Sequence, residues 1–159
     1  MNTITIYVII VAIIPLTCEL GPRVHAIAGL TMKDITLAEY TAPGYFVRII
    51  GKGNRQRPVN PKLVGNAARY LKDWLAVRCE APGAFFCFIS YRGNQRRLDK
   101  NLTPKTLHSI LKNRVARAGP PLTTWHDFRR TILSDVIARS GFTTAQHLAG
   151  SSSSATTAR

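Results

Sequence analysis

His126 and Arg129 stand three residues apart in the stretch Thr123-Thr124-Trp125-His126-Asp127-Phe128-Arg129-Arg130-Thr131. On a helix that spacing puts an imidazole and a guanidinium on one face of the first turn. The pair offers a group that can give or take a proton and a planar, permanently charged fork, a combination suited to gripping a phosphate. The plain alternative is a solvated helix start, and the pair alone does not choose between them. Two other stretches add cations. Gly21-Pro22-Arg23-Val24 puts Arg23 at a helix start, where backbone N–H groups also favour an anion; the plain reading is a surface arginine. Gly51-Lys52-Gly53-Asn54 puts Lys52 on a turn between glycines, flanked by Arg55 and Arg57. A flexible ammonium there can reach into a groove and give up a proton, or the hairpin can simply touch backbone phosphates.

Composition narrows the partner. The 159 residues carry 22 Lys and Arg against 8 Asp and Glu, a formal charge of +14. Such an excess repels itself and calls for a polyanion, with nucleic acid first and an acidic membrane surface second. Apolar residues are 45% of the chain, which excludes a disordered basic tail and provides for one domain with a real core. Cys18, Cys79 and Cys87 are odd in number and lack metal-ligand spacing, so they read as reduced thiols. No cluster of His, Cys, Asp and Glu suggests a structural zinc, and no repeat or glycine-rich phosphate loop is visible.

Several elements must position the cations. The opening run, Ile4 to Ile14 before Pro15, is too short to span a bilayer and has no basic residues ahead of it. It reads as a buried helix or strand at the domain edge, with a targeting segment or a mis-assigned start as alternatives. Val24, Ile27, Ala28 and Leu30 suggest a short helix beginning at Arg23. Tyr45–Ile50 and Arg55–Val59 read as the two strands of a hairpin about the Lys52 turn. Asn60 and Pro61 signal the start of a helix whose core stripe is Val64, Ala67, Leu71, Trp74 and Leu75, with Trp74 in the core and not a stacking platform.

Ala84–Ile89 reads as a buried strand and Ser90–Lys100 as a polar loop. Thr103-Pro104 opens the next helix, with Leu107, Ile110, Leu111, Val115 and Ala118 facing inward and Gly119 ending it. Lys105 and Lys112 lie on its other surface, either against a groove or in solvent. Thr124 and Asp127 form a capping box for the helix bearing His126 and Arg129. Phe128, Ile132, Leu133, Val136 and Ile137 are its apolar stripe, and Gly141 is its stop. Thr143–Gly150 makes one more short helix. The expected fold is α+β, mainly helical with a small antiparallel sheet.

In this order the pieces resemble the catalytic domain of the tyrosine recombinases, the phage-integrase family. Gly21-Pro22-Arg23 followed by Ala28-Gly29-Leu30-Thr31 is similar to that family's first arginine box, and Gly51–Arg57 to its lysine hairpin. His126-Asp127-Phe128-Arg129-Arg130-Thr131 resembles the second box. Leu148-Ala149-Gly150, with Ala155–Arg159, resembles the third. The resemblance covers residues 20–159, leaving 1–19 as a divergent hydrophobic segment. It implies strand cleavage by a tyrosine on the scissile phosphate, a 3′-phosphotyrosyl intermediate and resealing, with neither metal nor cofactor. Arg23 and Arg129 would grip the non-bridging oxygens, Lys52 would protonate the leaving 5′ oxygen, and His126 would act as general acid/base or orient the phosphate. Arg55, Arg57, Lys105, Lys112 and Arg130 would contact DNA. The implied partner is double-stranded DNA bound by a homo-tetramer in the cytoplasm at the nucleoid; no small-molecule substrate and no membrane role are expected.

This chain departs from the family pattern at three places. The family's tyrosine would fall just after Arg159, and Tyr7, Tyr40, Tyr45, Tyr70 and Tyr91 stand in other segments. Ser151 holds a position usually His, with His147 four residues early. His25-Ala26 replaces the usual Ser-Glu pair. The 159 residues are therefore expected to bind DNA weakly and not to cleave it alone, as a fragment, a decayed mobile-element copy or a frameshifted gene. A non-catalytic DNA-binding regulator at recombination sites is the alternative, and a membrane-tethered basic protein is a further one.

Overall fold

A computed structural model describes residues 3–38, 44–50, 62–90, 96–119 and 123–149. The apolar opening run is a helix, α1 (Thr3–Leu20), with Pro15 inside it. Ile9, Ala12, Ile13, Leu16 and Leu20 recur at helical spacing and are all buried. They join the main core and pack α1 against two later helices, α3 (Gly65–Arg78) and α5 (Trp125–Ser140). Among the described residues no helix is long and apolar enough to cross a membrane.

Gly21 and Pro22 lead into α2 (Val24–Ala28), with Arg23 extended at its N-cap. A single 3-10 turn, Met32–Asp34, is closed by a capping box between Thr31 and Asp34. The buried Asp34 carboxylate also takes Arg48 Nε at 2.7 Å, tying this turn to the sheet. That sheet has three antiparallel strands in the order β1 (Ile35–Ala38), β2 (Gly44–Val47) and β3 (Lys62–Leu63). The register sets Thr36 opposite Phe46 and Phe46 opposite Lys62 on the outer face. Val47 and Leu63 point into the core. Gly44 is required where it stands, because a Cβ there would run into the Leu63 carbonyl.

Two expectations about this region change. The first expected hairpin strand is only partly a strand, β2, and its partners are β1 and β3; the expected turn and return, residues 51–59, lie outside the described residues. The helix expected from Asn60-Pro61 begins instead at Gly65, because Lys62 and Leu63 are held in the sheet beside β2. Val64, expected in the core stripe, is the extended N-cap and is 43% exposed. The rest of that stripe stands: Ala67, Leu71 and Trp74 are buried, and Trp74 Nε1 donates to the Phe85 carbonyl at 3.0 Å.

Beyond α3, Phe85 and Phe86 enter the core edge to face, 4.8 Å between centroids. The polar stretch expected as a loop contains a strand, β5 (Arg96–Asn101), antiparallel to β4 (Cys87–Ile89). Its side chains are mostly exposed, so the backbone ladder defines it and no alternation marks it. Then α4 (Pro104–Ala118) follows its Thr103 cap and stops at Gly119, whose φ is +80°. Leu107, Leu111 and Val115 face inward, whereas Ala118 is exposed at the fraying end. Last come α5 and α6 (Phe142–Ala149), which share a small cluster centred on Leu133 and Ala145. The fold is α+β and mainly helical, with small antiparallel sheets.

Candidate active site

The site is organised by the first turns of α5. Thr124 N and Oγ1 donate to Asp127 Oδ2 at 2.8 and 2.7 Å, and Asp127 N donates back to Thr124 Oγ1 at 3.2 Å. The bond from the Thr124 hydroxyl, then that from its amide, holds the Asp127 carboxyl below its ordinary value. The box fixes the rotation of the helix. Trp125 and Leu133 turn inward, and Arg129 lies between them along the same side, only 8% exposed. His126 and Arg130 turn outward to solvent.

The expected apolar stripe of α5 does turn inward, and Arg129 joins that side. Phe128, Ile132, Val136 and Ile137 are half-buried, and Arg129 takes an inward place that periodicity assigns to apolar residues. The reason lies across the core, where Arg129 Nη1 donates to the Gly21 carbonyl, 108 residues away in sequence. Burial and, second, the charge of Arg23 push the Arg129 guanidinium down to about 10. Arg23, half-buried at the start of α2, is therefore near enough for the two like charges to oppose each other. An oxyanion bound near these two guanidiniums would relieve both the repulsion and the desolvation.

The other candidate residues divide clearly. His126 is exposed on the first turn of α5, Lys105 and Lys112 are exposed on α4, and Arg130 is exposed on α5. Lys52, Arg55, Arg57 and Ser151 lie outside the described residues. Cys18, Cys79 and Cys87 are free thiols. Among the described residues no group of three or more His, Cys, Asp or Glu could hold a metal ion. Sequence reasoning missed the Gly21 carbonyl as the acceptor for Arg129. The available signal was a glycine closing an apolar run just ahead of Pro22-Arg23, read only as the preface to a helix.

Comparison with solved structures gives the same fold. The chain is similar to XerA recombinase, with a TM-score of 0.72 and 20% identity over 95% of this chain and 50% of that one. It is also similar to XerH site-specific recombinase bound to its difH substrate in a pre-cleavage complex, with a TM-score of 0.70 and 19% identity over 99% of this chain and 43% of that one. It spans half or less of the length of those proteins. No curated protein matches it. The model of the phage integrase family matches residues 1–159, and the chain belongs to that family.

Proposed function

We propose that this chain is the phosphate-gripping part of a site-specific tyrosine recombinase catalytic domain acting on duplex DNA. The observation that carries the reading is the buried Arg129 held by the carbonyl of Gly21, two residues before Arg23, whose charge opposes its own. In this reading the two guanidiniums hold the non-bridging oxygens of the scissile phosphodiester and neutralise the charge that grows on pentacoordinate phosphorus. Lys52 protonates the departing 5′ oxygen, and His126, exposed on the same turn system, serves as acid/base or orients the phosphate. Arg55, Arg57, Lys105, Lys112 and Arg130 contact the duplex backbone. The working unit on DNA is a homo-tetramer in the cytoplasm.

The test is fluorescence anisotropy on a labelled duplex across a salt series. The expected result is binding that weakens steeply with salt and drops about tenfold or more for Arg23→Ala and for Arg129→Ala, as charge-assisted contacts to phosphate are lost. Binding indifferent to both substitutions would instead support a non-catalytic DNA-binding module.

A further inference from the structure

The residue that joins α1 to Arg23 does more than connect them. Gly21 follows the last residue of α1, adopts a left-handed φ of +50°, and donates its N–H to the Thr17 carbonyl at 2.9 Å. Having turned the chain, it presents its own carbonyl to Arg129 Nη1. That acceptor lies at the negative end of the α1 dipole, where a cation is favoured, and α1 has no basic residue in its own last turn. Two residues later Arg23 begins α2. One backbone turn therefore meets both cations, holding the first by a carbonyl and launching the second by chain direction.

We propose that Gly21 is a positioning residue for the phosphate grip: its left-handed turn aims the carbonyl that holds Arg129 in register with Arg23, which makes the apolar helix α1 part of the site's scaffold. The proposal rests on the reading of Arg23 and Arg129 as a phosphate clamp. Like charges drive the two side chains apart, and without a fixed acceptor a long arginine side chain would relieve that repulsion by swinging away. The Gly21 carbonyl opposes this. The backbone, not the space, dictates glycine here. A Cβ at this position would meet Ile132 Cγ2 at 3.5 Å, an ordinary contact. Alanine would fit the cavity and disfavour the left-handed angle, re-aiming the carbonyl.

The experiment combines nitrogen-15 NMR of the arginine side chains with duplex-DNA binding by the same 159-residue chain. In the unsubstituted protein the Arg129 guanidinium protons, assigned by their loss in Arg129→Ala, should exchange slowly and show restricted rotation. Gly21→Ala should speed that exchange about tenfold, the worth of one lost hydrogen bond, while the backbone spectrum stays folded. It should weaken DNA binding about tenfold, the worth of one charge-assisted contact. Introduced into Arg129→Ala, the same change should alter affinity by less than about twofold, because a residue that acts through Arg129 has nothing left to act on. Equal weakening in both backgrounds, or an Arg129 signal unmoved by Gly21→Ala, overturns the proposal. If Gly21→Ala does not fold, the unsubstituted chain decides: fast-exchanging Arg129 protons overturn the proposal, and protected ones that remain so with duplex bound support it. A chain that shows the protected Arg129 but ignores duplex DNA defeats the clamp reading and leaves the Gly21 link standing.

Discussion

Arg78 and Arg129 are both buried arginines, yet their surroundings are opposite. Arg78 ends α3, and the loop after it folds back over the guanidinium. Its Nε donates to the Ala84 and Phe85 carbonyls at 2.9 and 3.1 Å, and its Nη1 to those of Cys79 and Ala81 at 2.7 and 2.8 Å. Those bonds hold a turn in which Cys79 takes a φ of 70°, a left-handed angle that a non-glycine residue adopts only when its surroundings enforce it. Burial lowers the Arg78 pKa, and the neighbouring thiols of Cys87 and Cys79 push back in the other direction. Around Arg129, burial and the charge of Arg23 act in the same direction. The contrast separates two uses of a buried cation. One held through Nε and Nη1 by carbonyls of its own loop is a structural staple, even with its Nη2 buried and unpartnered. One that feels the charge of a second cation is, in the reading proposed above, balanced by a bound anion.

The contrast predicts different failures. Arg78→Ala removes the donor shared by four loop carbonyls, of which only Phe85 keeps another in Trp74 Nε1, and should cost roughly 3 to 5 kcal/mol, the scale of breaking a buried charged network. Urea unfolding measures it, and whatever folded protein remains should bind DNA as before. An Arg78→Ala chain as stable as the original would remove the structural half of the comparison. Arg129→Ala should do the reverse. The loss of its contacts, the bond to Gly21 among them, is offset by relief of desolvation and repulsion, so stability should move by no more than about 2 kcal/mol. Its loss should show in chemistry. In a chain extended past Arg159 by a tyrosine-bearing helix, with Ser151→His, capture of a nicked duplex as a covalent adduct should fall by about two to three orders of magnitude without Arg129, as for loss of one well-placed oxyanion donor. An Arg129→Ala chain that unfolds as readily as Arg78→Ala would collapse the distinction.

What could be read from the sequence was whatever is decided within a few residues. The Thr103 and Thr124 caps, the reciprocal Asp127, and the stops at Gly119 and Gly141 are local signals, and each is where the spacing put it. The strands were less legible. Lys62 and Leu63 are a strand only because β2 lies beside them, and β5 has polar side chains with no buried face to impose alternation. Arg78 gave no warning either, since a basic residue in the last turn of a helix ordinarily faces solvent. For the site, the four boxes identified which residues to compare, but not that Arg129 would face inward. That depends on a carbonyl 108 residues away, and no pattern within α5 contains it.

The finest test separates the two arginines by titration. Arg129 should lose its proton near pH 10, followed by the carbon-13 shift of its guanidinium carbon. Its pKa in the folded state lies below its unfolded value, so between the two the unfolded chain binds more protons. Stability should therefore rise with pH across that window as far as this group contributes, the penalty for charged Arg129 being fully present below about 10. Removing the nearby charge with Arg23→Ala should move the Arg129 midpoint upward, and so should inorganic phosphate bound between the two. Neither change should move Arg78, whose partners are carbonyls and thiols of its own loop. Burial alone cannot produce that selectivity, because both side chains are buried. A midpoint for Arg129 that ignores both Arg23 and phosphate would show that desolvation is the whole cause, and the pair would then be two separate cations that share a core.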